Sequence, residues 1–201
     1  LDRWTYRWSL DDSAGRVVFY AGLGGERGVR DALIVHDQVM PLIWSVRPDT
    51  VLTLLGANPP PVLTELSSDR VEITGFVDDP GTYLGKSRAL ICPFTGRYGF
   101  RSRIIEGMAT GTPVVCSPDA VYGMRLDETD GIRLGTTPAE LANCVLELLA
   151  NHQMAQLASV KVRETVEARF GLEATYGQAA AWLDTTILGR SSGLEGGLSG
   201  P

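Results

Sequence analysis

The chain has 201 residues, 44% of them hydrophobic, and a formal net charge of −6, which suits a single domain with a sizeable buried core. Acids and bases are interspersed, which argues against a nucleic-acid surface or an anionic-membrane patch and leaves small anions to local arginines. No apolar run approaches a membrane span and no signal-peptide pattern opens the chain, so a cytoplasmic location is expected.

Trp4, Tyr6 and Trp8 alternate with polar residues in a strand-like period. Residues 1–14 are therefore expected to be an edge strand, or a connector from a missing N-terminal domain, that packs its aromatics on the body; sugar stacking is the alternative. The main body is expected to span residues 15–188. Within it, residues 16–20 read as a strand closing on Gly22, followed by a glycine-bearing turn and an amphipathic stretch over 29–46. A second apolar run, 50–55, stops at Gly56, and Asn58-Pro59-Pro60-Pro61 breaks the chain before a short helical piece.

Residues 71–74 give a third strand ending in Gly75-Phe76-Val77, and a short helix near 82–87 leads into a fourth strand over 89–93. The glycine-containing loop 94–100 joins this strand to a short helix bearing Glu106, and 113–116 is the fifth strand. Thr137-Pro138-Ala139-Glu140 is a capping box with proline at the first helical position, so a helix should run to about 150. Two more helical segments follow. The last, 172–187, carries Leu172, Tyr176, Ala180, Leu183 and Ile187 on one face that must dock. Residues 189–201, rich in glycine and serine, read as a flexible tail.

Strands separated by helices force crossover connections, hence a mostly parallel sheet with helices on both faces. This is an α/β, Rossmann-like, doubly wound fold. In such sheets ligands collect at the carboxyl ends of the strands, where helix N-termini favour anions, so loop 94–100 should line the crevice. Gly22-Leu23-Gly24-Gly25 lacks the full dinucleotide-binding glycine pattern with its following acid, which disfavours a dehydrogenase. Cys92, Cys116 and Cys144 lack metal-ligand spacing and read as buried free thiols. His36 and His152 have no partner acids or thiols at ligand spacing, so no metal site is assigned.

The run Glu106-Gly107-Met108-Ala109-Thr110-Gly111-Thr112-Pro113-Val114-Val115 resembles the E-(A/G)-M-A-x-G-x-P-V-V signature of family 4 retaining glycosyltransferases, the glycosyl transferases group 1. Gly75-Phe76-Val77, Pro93, Asp130-Gly131-Ile132 and Pro138-Ala139-Glu140-Leu141-Ala142 follow in the family's order, so the resemblance covers 16–187. It implies one half of a GT-B architecture, the C-terminal nucleotide-sugar-binding half. The implied activity is transfer of a hexosyl unit, with retention, from a UDP- or GDP-linked sugar to a glycan or lipid-linked acceptor, as in polysaccharide biosynthesis. The nucleotide sugar is the substrate and no cofactor is implied. The acceptor would enter through the missing N-terminal domain, which could also bring the protein to the inner face of the membrane. One wall alone neither excludes water nor orients an acceptor, so efficient transfer by this segment is not expected.

Carried over residue by residue, the resemblance gives Glu106 the ribose hydroxyls, a task for a fixed carboxylate acceptor; the plain alternative is an acid complementing the helix dipole. Arg103, with Arg101 nearby, stands where members face the donor diphosphate with a cation. That implies metal-independent stabilisation of the leaving group, and solvated surface charges are the alternative. Arg27-Gly28 resembles the lysine-glycine that also meets the diphosphate. Leu23 replaces the usual arginine after the strand-ending glycine and the loop is one residue shorter, leaving Arg27 and Arg103 as the catalytic pair and Gly24 as a donor-side glycine.

Tyr98 stands where the first glutamate of the family's E-x7-E pattern would handle the donor sugar. A tyrosine cannot replace a carboxylate acceptor, so the sugar-side contacts depart from the pattern, while Gly99 keeps the close backbone approach. Phe76 and Val77 occupy the place that holds the nucleotide base, with core packing of Phe76 equally open. Two other readings stand beside the transferase: a nucleotide-sugar epimerase of the same architecture, whose catalytic acids are not apparent, and a non-catalytic docking or regulatory domain, motivated by Tyr98 and Leu23.

Overall fold

The computed structural model describes residues 4–13, 15–97, 99–171, 173–177 and 182–183. Six strands form one sheet: β1 (Arg16–Tyr20), β2 (Val51–Leu55), β3 (Val71–Gly75), β4 (Ala89–Cys92), β5 (Val114–Cys116) and β6 (Arg133–Leu134). Their order is β3-β2-β1-β4-β5-β6, and every pairing is parallel. Because both faces of the central strands are covered, Val17, Val18 and Phe19 are all buried, and the run is continuously apolar instead of alternating.

The connecting helices are α1 (Glu26–Ile34), α2 (Met40–Val46), α3 (Pro61–Thr64), α4 (Pro80–Gly85), α5 (Ser102–Thr110), α6 (Pro138–Ala150) and α7 (His152–Phe170). They pack in two groups, α1 and α2 with α6, and α4 with α5 and α7, one on each face of the sheet. The stretch expected as one amphipathic helix contains a wide π turn, Val35–Val39, between α1 and α2, where the Met40 N–H reaches the Val35 carbonyl. Pro41 lacks the N–H that would bond back to Asp37 and crowds that carbonyl, so the regular ladder cannot pass it. α6 begins as the sequence implies: Thr137 caps the Glu140 N–H, Glu140 returns to the Thr137 N–H, and Pro138 is the first helical residue.

Two expectations are corrected. A sixth strand, β6, extends the sheet beyond β5. The aromatic alternation of Trp4, Tyr6 and Trp8 does not make an edge strand; these residues belong to an extended strap that packs on the body. The N–H groups of Arg7 and Trp8 both bond to the Thr110 carbonyl, at 3.0 and 3.1 Å, so the strap closes the C-terminal end of α5, where carbonyls lack helical partners. The Trp8 indole N–H bonds to the Ser87 carbonyl at 2.9 Å, and the Tyr6 hydroxyl meets Ser159 Oγ at 2.9 Å. The docking face expected for 172–187 lies largely outside the described residues, as does the 189–201 tail; within it, residues 173–177 form a π turn and Tyr176 and Leu183 are exposed.

A candidate anion-binding crevice at the strand switch point

In this strand order the chain winds one way from β1 and the other way from β4, and the two strands are neighbours. A crevice opens between the loops that leave their carboxyl ends. It holds about 330 Å³ and is lined by Gly22, Gly25, Arg27 and Gly28 of the turn after β1 on one side and by Phe94, Phe100, Arg101 and Arg103 on the other. Two helix N-termini face it. The N-caps of α1 and α5 are Gly25 and Arg101, and neither makes a side-chain capping bond, so the first amide protons of both helices keep their capacity for an anion.

The turn after β1 is tight. A Cβ on Gly28 would lie 2.1 Å from the Gly22 carbonyl oxygen, and one on Gly24 would press on Asn58 Cβ and oxygen at 3.0 and 3.1 Å. Only glycines let this loop and the start of α1 approach so closely. Leu23, where an arginine is usual in the resembling family, is fully buried and points away from the crevice into the core.

Three arginines converge. Arg27 lines one wall, and Arg101 and Arg103 line the other. Arg101 is not a solvated surface charge: its guanidinium lies 4.4 Å from the centroid of Phe94, Nη2 donates to the Gly96 carbonyl at 3.2 Å, and Nε is buried without a hydrogen-bond partner. Arg103 is exposed but held, with its guanidinium 5.2 Å from the Tyr20 ring and Nη2 3.8 Å from where a Gly22 Cβ would stand. Three residues on along α5, Glu106 shares its face. Glu106 is half-buried, and its Oε2 is buried and makes no hydrogen bond.

The remaining expected residues lie apart from this cluster. Of the described residues of loop 94–100, Phe94 and Phe100 line the crevice; Arg97 and Gly99 border a separate recess with Phe100, Tyr122 and Gly123. Gly99 has φ 59° with no atom near its would-be Cβ, so its glycine serves the backbone turn and not a close packing contact. Tyr98 lies outside the described residues. Phe76 is 75% exposed beyond the end of β3, which overturns the core-packing alternative, while Val77 is half-buried against the core. Phe76, Val77 and Gly24 are not among the crevice-lining residues, and neither is Glu106, which stands one turn beyond Arg103 on α5.

Sequence reasoning missed two residues, Asp31 in the crevice wall and Tyr20 beneath Arg103. Asp31 is a buried acid on the crevice wall, paired with Arg30 at 2.8 Å; its place one turn after Arg27 was the available signal. Tyr20 ends β1, and its phenol pKa is pushed up to about 12, first by burial and then by the Glu106 carboxylate, with Arg103 acting the other way. His36 does have an acid neighbour, since its Nδ1 lies 2.6 Å from Asp37 Oδ1, yet among the described residues no group of His, Cys, Asp and Glu is placed to hold a metal. No helix among them is long and apolar enough to cross a membrane.

Comparison with known proteins places this geometry. Residues 15–151 match the model of a family described as glycosyl transferases group 1. A curated relative, a phosphatidyl-myo-inositol mannosyltransferase of Propionibacterium freudenreichii subsp. shermanii, is 31% identical over 134 residues, covering 66% of this chain and 33% of that protein. Among solved structures, Anabaena HepE in complex with UDP and glucose superposes with TM-score 0.70 at 17% identity, over 90% of this chain and 54% of its own. Sucrose-phosphate synthase of Thermosynechococcus elongatus superposes with TM-score 0.66 at 22% identity, over 89% of this chain and 51% of its own. The chain thus spans about a third of the curated relative and about half of these GT-B structures. By its sequence match and its fold, the chain belongs to the glycosyl transferases group 1 family.

Proposed function

We propose that this chain is the donor-binding half of a retaining glycosyltransferase, holding a nucleoside diphosphate sugar for hexosyl transfer to a glycan or lipid-linked acceptor carried by a second domain. The observation that carries the reading is the convergence of Arg27, Arg101 and Arg103 with two uncapped helix N-termini on one crevice, and Glu106 on the same helix face as Arg103. A departing diphosphate gains negative charge in the transition state, and fixed cations aimed at it stabilise that charge more than the ground state. Arg27 and Arg103 supply this from opposite walls. Arg101, fixed against Phe94, adds a third positive charge, and the Glu106 carboxylate accepts from ribose hydroxyls one helical turn away.

The names of the relatives fit: one transfers mannosyl units to a phosphatidyl-inositol, and another was solved with UDP and glucose. A segment closed by one wall does not exclude water, so binding and not turnover is the property expected of it alone, in the cytoplasmic compartment where nucleotide sugars are made. Calorimetry with UDP and GDP tests the reading. One should bind wild type, and Glu106→Ala should weaken it by about tenfold to a hundredfold, since a hydrogen bond to a charged group is worth roughly 1.5–3 kcal/mol. If neither binds, the non-catalytic docking domain becomes the better account.

A further inference from the structure

The sheet order sets the last residue of β1 beside the helix that follows β4, although 83 positions separate Tyr20 from Arg103. Tyr20 is half-buried at the switch point. Its ring lies under the Arg103 guanidinium at 5.2 Å, and after burial both charges of the pair act on its phenol, the Glu106 carboxylate raising its pKa and Arg103 lowering it.

Arg103 and Glu106 stand three residues apart on one helix face, the spacing at which opposite charges ordinarily pair. They do not. Nine ion pairs are formed among the described residues, and this is not one of them. Arg103 instead reaches over Tyr20 toward Gly22, and Glu106 keeps Oε2 without a hydrogen bond. If the two collapsed onto each other, neither would face a donor.

We infer that Tyr20 is a positioning residue of the crevice: its ring carries Arg103 toward the diphosphate and keeps it off Glu106, which leaves that carboxylate to the ribose. This rests on the donor-binding reading above. Cutting the ring away removes the support of Arg103 and lets it fall onto Glu106, whereas removing only the hydroxyl leaves the ring beneath the guanidinium.

The test compares Tyr20→Phe and Tyr20→Ala in this chain, with Tyr20→Leu as a bulkier variant should alanine fail to fold. Binding of a nucleoside diphosphate and its monophosphate is measured by calorimetry, using whichever of UDP/UMP or GDP/GMP binds wild type. Tyr20→Phe keeps the ring and should leave the preference for diphosphate over monophosphate close to that of wild type, whereas Tyr20→Ala or Tyr20→Leu should narrow it by about threefold. A purely structural tyrosine would lower the melting temperature and leave that preference unchanged, which would overturn the proposal.

A second readout needs no nucleotide. In protein labelled with 3-fluorotyrosine, the Tyr20 resonance, identified by its loss in Tyr20→Phe, should shift in both Arg103→Ala and Glu106→Gln at neutral pH. An unmoved resonance overturns the contact itself. If the resonance moves but wild type binds no nucleotide, the donor reading fails and the presenting role fails with it.

Discussion

A Cβ placed on Gly28 would stand 2.1 Å from the carbonyl oxygen of Gly22, so the first turn of α1 and the loop after β1 are in backbone contact at the floor of the crevice. In an ordinary helix, replacing glycine with alanine gains up to about 1 kcal/mol. Here the obstacle is backbone, not the movable end of a side chain, and the clash prevails. Gly28→Ala should destabilise the protein by about 1–3 kcal/mol, read from chemical denaturation, and should weaken nucleotide binding, because whichever side yields moves Arg27 or the amide groups beside it.

Arg27 is placed by that same turn, and its predicted partner is charge. Arg27→Ala should lower affinity for a nucleoside diphosphate by roughly fivefold to tenfold and leave the free nucleoside almost unaffected, since a charge-assisted bond to phosphate exceeds a neutral one but is discounted by exposure. The difference between wild type and variant should shrink at 0.5 M salt, where the screening length falls below about 5 Å. Equal losses for diphosphate and nucleoside in calorimetry would argue that Arg27 acts on the loop and not on phosphate.

How far this was legible follows from the range of each interaction. β1 announced itself through Arg16-Val17-Val18-Phe19-Tyr20 running into Gly22, and α6 through a capping box four residues long, because both signals are local. β6 was missed since Arg133–Leu134 is too short to show any period, and it exists only because β5 offers an unpaired edge. Trp4, Tyr6 and Trp8 imitate a strand, yet the strap's backbone bonds there, from Arg7 and Trp8, go to the carbonyl of Thr110, which no nearby residue indicates. Phe76 could be assigned to core or surface only by knowing that β3 is the outermost strand. At the site, Arg27, Arg103 and Glu106 came from motif resemblance, whereas Tyr20 came from the register that sets β1 against β4.

The strap offers a direct check on its structural role. Trp8 is 4% exposed, spends its indole N–H on the Ser87 carbonyl and lies 5.9 Å from the guanidinium of Arg88, an arginine that is itself buried and donates to the Leu10 carbonyl at 3.0 Å. Trp8→Ala should cost about 3–5 kcal/mol through the lost transfer energy and the cavity left behind. Trp8→Phe restores most of the volume but strands the Ser87 carbonyl, for roughly 1–3 kcal/mol. If urea denaturation showed both below 1 kcal/mol, the strap would not be an integral part of the folded body.

Cys92 and Cys116 are paired in register on β4 and β5 and fully buried, and burial pushes both thiols up, Cys116 to about 12 and Cys92 well above its usual value. Cys144 is half-buried and raised more modestly, again by burial first. Thiolate is the reactive form, so at pH 8 the folded protein should yield at most one thiol to an aromatic disulfide reagent over minutes and all three in denaturant. The same shifts govern stability at high pH. In the unfolded chain the thiols ionise near 9, whereas in the fold Cys116 holds its proton to about 12, so above pH 9 the unfolded state binds fewer protons and unfolding becomes more favourable. Stability should therefore be level, as far as these groups act, below pH 9 and decline between pH 9 and 12, and a Cys92→Ser/Cys116→Ala double variant should show a shallower decline over that window in denaturation curves taken at successive pH values.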